Sequence, residues 1–187
     1  MKILLSSLRG LLWVAVMWMP VLAVHAADER SELQPGSMVL IRHALATGVG
    51  DPEHFALNDC RTQRNLNDEG RKQAMRIGAY FRQLTVPVTA VWSSQWCRTR
   101  ETADLAFPGM REDKAAFNSF FGEPDAAPAQ TLAAKRLLNA WNGNGLLVVV
   151  THQVNITAIA GVVPASGEAV VLRLRDGAWV VSGRLTP

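Results

Sequence analysis

The sequence has no motif for binding a nucleotide, a metal ion or an organic cofactor. Gly48-Val49-Gly50 lacks the third glycine and the lysine of the loops that hold nucleotide phosphates. His43 and His152 lack the short paired spacing of zinc motifs, and no cluster of carboxylates accompanies them. We therefore expect no nucleotide cofactor and no bound metal.

The net charge is small, and the chain has few cysteines. The formal net charge is only +3, and most basic residues are dispersed along the chain. This balance does not indicate a nucleic-acid partner. The 2 cysteines, Cys60 and Cys97, allow one disulfide in an oxidising compartment, and the sequence leaves open whether it forms.

No apolar run is long enough to cross a bilayer. The longest spans residues 11–24, is interrupted by Pro20, and falls short of the roughly 20 residues that a spanning helix needs. Lys2 and Arg9 precede it, and Val24-His25-Ala26 follows the pattern of a secretory cleavage site. We expect a signal peptide at residues 1–26, a linker at 27–36, one domain at 37–187, and a secreted, periplasmic protein without a stable membrane anchor.

The apolar pattern predicts alternating strands and helices. Unbroken apolar runs at 38–41 and 146–150 are typical of strands that are covered on both faces, and residues 88–92 between them are predicted to form a further strand, so that three strands are expected in this part of the chain. Helical patterns fill 67–84, 98–107, 129–141 and 156–163, whereas 110–128 has no regular pattern. Two β-rich runs flank Asp176-Gly177, a strong hairpin signal. The order predicts an α/β sheet that closes with an antiparallel hairpin.

Two of these strands are each followed by a polar residue and a histidine. Arg42-His43 follows the first, and Thr151-His152 follows the third. Hydrolysis of a phosphomonoester without a metal needs a nucleophile, fixed cations around the phosphoryl oxygens and a proton for the leaving group. Histidine can be that nucleophile, and forked arginines match phosphate oxygens. Taken alone, however, Arg42-His43 fits a surface histidine at a strand end better than a catalytic one.

Three motifs in order change this interpretation. Leu40-Ile41-Arg42-His43-Ala44, Ser93-Ser94-Gln95-Trp96-Cys97-Arg98 and Val150-Thr151-His152 together resemble the signature of the histidine phosphatase superfamily. The resemblance covers nearly all of residues 37–163. It implies a three-layer α/β/α sandwich with a mostly parallel sheet and a C-terminal antiparallel hairpin, as in phosphoglycerate mutase-like folds.

The resemblance also implies catalytic roles. His43 corresponds to the phosphorylated nucleophile, Arg42 and Arg98 to the phosphate clamp, and His152 to the histidine that donates to the phosphoryl oxygens. The chain departs from the family at Ala44, where glycine is usual, and at Gln153, where small residues are common. We expect both side chains to narrow the space beside the phosphate, with Gln153 in contact with substrate.

The general acid is less well defined by sequence. In many members of the family it lies between the second and third motifs, where this chain has Glu123 and Asp125. Glu123 is preferred because Gly122 allows close approach, and neighbouring aromatic residues favour a neutral carboxyl. A solvated acid in an irregular loop remains an equal alternative.

A long loop at 44–66 adds further charge. Its Arg61 and Arg64 are candidates for binding a second anionic group of the substrate. The alternative is that they form ordinary surface salt bridges with Asp59 and Asp68.

The sequence thus predicts a metal-independent phosphomonoester hydrolase that acts through a phosphohistidine in the periplasm or cell envelope. The alternative is a catalytically weak or inactive phosphate-binding module on the same fold. The expected partner is a phosphorylated small molecule or an envelope glycan, since the chain somewhat resembles short exported members of the family that act on lipopolysaccharide core heptose phosphate. The pattern does not predict an oligomeric state.

Overall fold

The strands and helices alternate along the chain, as the apolar pattern predicts. The computed structural model describes residues 33–187, so the predicted signal peptide lies outside the described residues. In chain order the elements are β1 (Met38–Arg42), α1 (Asp68–Arg82), β2 (Val88–Ser93), α2 (Cys97–Ala106), β3 (Arg111–Asp113), α3 (Ala127–Ala140), β4 (Leu146–Thr151), α4 (Gln153–Ala160), β5 (Ala169–Arg175) and β6 (Ala178–Leu185).

One six-stranded sheet carries the site. Its strand order is β3-β2-β4-β1-β5-β6. The first four of these strands pair in parallel, and β5 pairs antiparallel with both β1 and β6. The predicted mostly parallel sheet with an antiparallel C-terminal hairpin is therefore confirmed. Asp176 and Gly177 both have positive φ in the hairpin turn, which suits the twist of a two-residue connection.

Helices cover both faces of the sheet. Val39 and Ile41 of β1 pack in one core with Ile77 of α1 and Ala103 of α2. Met38 and Leu40 of the same strand pack in a second core, which includes Leu138 of α3 and Ile156 of α4. Successive strand side chains point to opposite faces, so a strand between two helical layers needs apolar residues at every position. This confirms the three-layer sandwich and explains the unbroken apolar runs.

The first helix is fixed by its cap and by a close contact. Asn67 Oδ1 accepts a hydrogen bond from Gly70 N at 2.8 Å, which satisfies a free donor of the first turn. Further along, a Cβ at Gly78 would lie 2.3 Å from the carbonyl oxygen of Ala106. Glycine thus lets α1 approach the end of α2 closely.

The structure corrects several details of the sequence prediction. The region expected to be irregular contains the short strand β3, which three residues are too few to reveal by periodicity. The helical pattern places Leu132 inward, but it is 51% exposed, and α4 begins at Gln153 rather than Ile156. Leu33, in the expected linker, is buried against the core. No helix among residues 33–187 is long and apolar enough to cross a membrane.

Candidate active site

The carboxyl ends of β1, β2 and β4 meet at one edge of the sheet and form a cavity. His43 follows β1, and its backbone N–H donates to the Thr151 carbonyl at the end of β4 at 2.9 Å. Ser94 follows β2 and donates its backbone N–H to Val150 at 3.0 Å. The cavity beside these residues measures about 160 Å³. Its lining comprises Arg42, His43, Gly48, Val49, Gly50, Asp51, Arg64, Arg98, Ser119, Phe121, His152, Gln153 and Val154.

The cavity holds His43 as a neutral base. Its ring is 2% exposed, and its Nδ1 lies 2.7 Å from the Ala44 carbonyl oxygen. A carbonyl can only accept, so Nδ1 carries the proton and Nε2 keeps its lone pair. Burial, and then the charge of Arg98, lower the pKa of His43 to about 3. His43 therefore has an unprotonated nitrogen across the usual pH range.

His152 faces His43 across the cavity. The two ring centroids are 5.5 Å apart. Nδ1 of His152 accepts a hydrogen bond from Arg98 Nη2 at 3.5 Å, which leaves Nε2 to donate to Ser94 Oγ at 2.8 Å. Burial, and then Arg98, lower the pKa of His152 well below its ordinary value. Sequence reasoning missed this contact between Ser94 and His152, because the motif contains the serine but does not indicate its partner.

Arg42 can direct its guanidinium at an anion although it is the last residue of a strand. Its Nη1 donates to the Pro164 carbonyl at 2.9 Å, and its Nε is buried without a hydrogen-bond partner. Because the backbone leaves the sheet at His43, consecutive side chains line one cavity rather than opposite faces of the sheet. A buried N–H without a partner is costly, which favours an anion beside it.

Arg98 is engaged by a carboxylate of the long loop. Arg98 Nη1 and Nη2 donate to the two carboxylate oxygens of Asp51 at 2.7 and 3.1 Å. Asp51 also accepts hydrogen bonds from Trp96 Nε1 at 3.0 Å and from the Arg64 backbone at 3.1 Å. Burial acts to raise the pKa of Asp51, but these bonds outweigh it and the net pKa is lowered. Asp51 is thus held as a carboxylate beside the Arg98 guanidinium.

The structure separates the two candidate arginines of the long loop. Arg64 lines the cavity, and its Nε and Nη1 donate to the carbonyls of Gly50 and Ala46 at 2.8 and 2.6 Å. The side chain of Arg61 is 90% exposed and pairs with Asp59 at 2.7 Å, away from the cavity lining. The surface salt bridge is therefore confirmed for Arg61, whereas Asp68 pairs with Arg71 and not with Arg64.

Glu123 does not reach the cavity lining. It is exposed and precedes a short 3-10 turn at Pro124–Ala126, while Phe121 from the same segment lines the cavity instead. Gln153 lines the cavity as expected. Ala44 is fully buried in a small apolar cluster with Leu66 and Ala74 and is not part of the lining, so it does not narrow the cavity as the sequence suggested.

A disulfide fastens the loop to the site. Cys60 and Cys97 are bonded across 37 positions of sequence, and Cys97 directly precedes Arg98. The Cys97 backbone N–H also donates to Gln63 Oε1 at 2.9 Å. The loop that carries Asp51 and Arg64 is therefore anchored at the start of α2.

The charges of the cavity favour an anion. Three arginines and one carboxylate line it, and both histidines are neutral, which leaves a net charge of 3 − 1 = +2. Arginine forks suit phosphate oxygens in particular. In the described part of the chain, no group of three His, Cys, Asp or Glu residues is placed to hold a metal ion.

Comparison with protein families agrees with this arrangement. The sequence model described as histidine phosphatase superfamily (branch 1) matches residues 38–116. These residues include Arg42, His43 and Arg98, whereas His152 lies beyond the match. No curated protein matches the chain at a significant level.

Solved structures share the fold at low sequence identity. The protein TTHB049 from Thermus thermophilus is 19% identical, with a TM-score of 0.57, over 81% of this chain and 99% of that chain. A phosphoglycerate mutase from the same organism is 18% identical, with a TM-score of 0.55, over 81% and 99% of the two chains. A phosphoglycerate mutase from Bacillus anthracis is 12% identical, with a TM-score of 0.59, over 82% and 94%.

The family model thus matches residues 38–116 of the 187, and the solved structures show that the chain shares their fold.

Proposed function

We propose that the protein is a metal-independent phosphomonoester hydrolase that forms a phosphohistidine at His43. The observation that carries this proposal is the neutral His43, whose Nδ1 bonds to the Ala44 carbonyl and whose Nε2 is thereby left free beside three arginines. A neutral imidazole among cations is suited to attack an anionic phosphoryl group.

The reaction then has two displacements. In the first, the Nε2 lone pair of His43 forms a bond to phosphorus while the bond to the leaving oxygen breaks, and its electron pair stays on that oxygen. In the second, water oxygen bonds to phosphorus, the N–P bond breaks, and its electron pair returns to Nε2. Arg42 and Arg98 neutralise the phosphoryl oxygens, and His152 lies across the cavity from His43, with its N–H donated to Ser94.

The size of the cavity suggests how a substrate is held. A cavity of about 160 Å³ accommodates a phosphoryl group with limited further room, so a large leaving group would extend toward the mouth. Two exposed apolar side chains line that mouth, Val49 at 87% exposure and Phe121 at 59%. This arrangement suits a phosphorylated small molecule or a phosphorylated glycan of the cell envelope, with Arg64 and Gln153 in contact with the substrate.

Export is part of the proposal. The pattern of residues 1–26 is that of a secretory signal. The bonded pair Cys60–Cys97 suits an oxidising compartment such as the periplasm.

The test is phosphate release from 4-nitrophenyl phosphate with a chelator present, across about pH 4 to 8, a range that brackets the reference histidine pKa. An aryl leaving group needs little help from an acid, so the assay reports on the nucleophile. We expect His43→Ala to abolish the activity and the control His54→Ala, which removes an exposed histidine of the long loop, to retain it.

Two outcomes would contradict the proposal. Full activity in His43→Ala would show that His43 is not the nucleophile. A folded wild-type protein that binds phosphate without turnover would identify a binding module instead.

A further inference from the structure

The long loop supplies a carboxylate at the place where the proposed reaction lacks an acid. Among residues 33–187, Asp51 is the one Asp or Glu that lines the active-site cavity. Glu123, which the sequence favoured, and the other candidate Asp125 both lie outside the lining.

No other group of the cavity is suited to the proton transfer. An alkoxide leaving group needs a proton as its bond to phosphorus breaks. The two histidines are neutral in the cavity because burial and the nearby arginines disfavour their protonated forms. The arginines stay protonated at any ordinary pH and cannot exchange a proton usefully.

Asp51 is also held firmly enough to act on a defined atom. Its carboxylate accepts bonds from Trp96 Nε1 and the Arg64 backbone, in addition to the two from Arg98. Trp96 is itself stacked on Phe55, with ring centroids 5.0 Å apart. When a phosphoryl group binds the Arg98 guanidinium in place of Asp51, the carboxylate therefore still accepts the hydrogen bonds from Trp96 and the Arg64 backbone.

We propose that Asp51 is the general acid and base of this site, an assignment that rests on the hydrolase function proposed above. Asp51 protonates the leaving oxygen in the first displacement and removes a proton from the attacking water in the second.

Binding of substrate would favour protonation of Asp51. Before substrate binds, the Arg98 guanidinium stabilises the carboxylate. A dianionic phosphoryl group that binds the same guanidinium removes this counterion and places a like charge beside Asp51. Both changes favour the protonated carboxyl, which takes its proton from solvent.

The protons and electrons then balance over the cycle. As His43 Nε2 bonds to phosphorus, the leaving oxygen keeps the electron pair of its broken bond and takes the Asp51 proton, which gives an alcohol and a carboxylate. Water next loses a proton to that carboxylate as its oxygen bonds to phosphorus, and the N–P electron pair returns to Nε2. Inorganic phosphate leaves, Asp51 releases its proton to solvent, and its carboxylate returns to Arg98.

The experiment compares two leaving groups in one variant. Asp51→Asn has nearly the same shape but one acceptor oxygen, so it keeps the hydrogen bond from either Trp96 Nε1 or the Arg64 backbone, loses the other, and cannot donate an acidic proton. For glycerol 2-phosphate we expect kcat/KM to fall by about 10²- to 10⁴-fold, and for 4-nitrophenyl phosphate by less than about tenfold, because a phenol leaves without an acid. The matched control Glu53→Gln removes an exposed carboxylate of the same loop and should leave both values unchanged.

Several results would overturn the assignment. An equal loss for both esters would show that Asp51 only positions Arg98, and a gain for both would show that it only competes with phosphate. A selective loss of alkyl activity in Glu123→Gln, and not in Asp51→Asn, would make Glu123 the acid. If wild-type protein hydrolyses neither ester, the hydrolase proposal fails and the role of Asp51 fails with it; wild-type turnover with a uniform effect overturns the role of Asp51 alone.

Discussion

At the scale of single residues, the cavity keeps its two histidines neutral by burial. Neither ring has a carboxylate among its hydrogen-bond partners, since His43 bonds to a backbone carbonyl and His152 to Ser94 and Arg98. A buried group whose pKa is lowered binds fewer protons in the folded state than in the unfolded state at acidic pH. Folding stability is therefore complete above the unfolded histidine pKa of about 6.5 and falls as the pH drops below it.

This predicts that the fold is less stable in acid, and that the change in the free energy of unfolding with pH depends on His43. Each unit by which a pKa is lowered corresponds to about 1.4 kcal/mol, and the pKa of His43 is lowered to about 3. We expect the free energy of unfolding in urea to fall by more than about 1 kcal/mol between about pH 6.5 and pH 5, where ordinary carboxylates remain ionised. His43→Gln should reduce this slope.

The exposed His54 provides a control for this pH dependence of stability. His54→Gln removes a histidine of the long loop without changing the cavity. If His43→Gln and wild type lose stability in parallel between about pH 6.5 and pH 5, burial of the neutral His43 is not the cause of the acid sensitivity.

At the scale of elements, one loop and one helix form a unit. The Cys60–Cys97 bond joins the loop between β1 and α1 to the first residue of α2. Two parts of the site depend on this junction, because Arg98 follows Cys97 and its partner Asp51 lies in the loop. Hydrogen bonds from Arg64 to the loop carbonyls add further links.

We predict that losing the disulfide weakens both the fold and phosphate binding. A bond that closes a loop across 37 positions stabilises a protein by about 2–4 kcal/mol. The variant Cys60→Ser with Cys97→Ser should unfold at a lower temperature by calorimetry and bind inorganic phosphate more weakly by titration. Wild-type protein treated with a thiol reductant should behave alike, and the reductant should leave the serine variant unchanged. Unchanged phosphate affinity in the reduced wild type would show that the bond does not position Arg98.

In the molecule as a whole, the cavity lies at one end of the sheet, and the first described residues lie near the start of β1. The described chain starts with Leu33, which packs into the core, and Gly36, whose backbone N–H donates to Gly145 at 2.9 Å. The cavity lies instead at the carboxyl ends of β1 and β4.

Export provides a prediction at this scale. When the full chain is produced in a Gram-negative host, we expect the periplasmic fraction to hold a protein whose mass corresponds to a chain beginning at Ala27. Val16→Arg places a charge in the apolar run and should keep the protein in the cytoplasm at full mass. A full-length product in the membrane fraction of the wild type would contradict cleavage and indicate an anchor.

The strands and the histidine motifs could be predicted because they depend on local pattern. Residues 38–41 and 146–150 are apolar at every position, as a strand between two helical layers requires, and each run stops at an abrupt pair of polar residues. Parallel strands bring such pairs to the same edge, so the meeting of His43 and His152 followed from the order of elements.

The layered fold and the two strand ends that carry Arg42, His43 and His152 follow from local patterns in the sequence, whereas Arg98 was placed with them by resemblance to the family's second motif. Contacts between distant parts of the chain settle that Arg64 lines the cavity while Arg61 pairs on the surface, that Asp51 rather than Glu123 reaches the cavity, and that the two cysteines meet. The physical reason is that a long loop takes its path from contacts with distant elements. Residues 44–66 have no periodic pattern that would predict which of their side chains line the cavity.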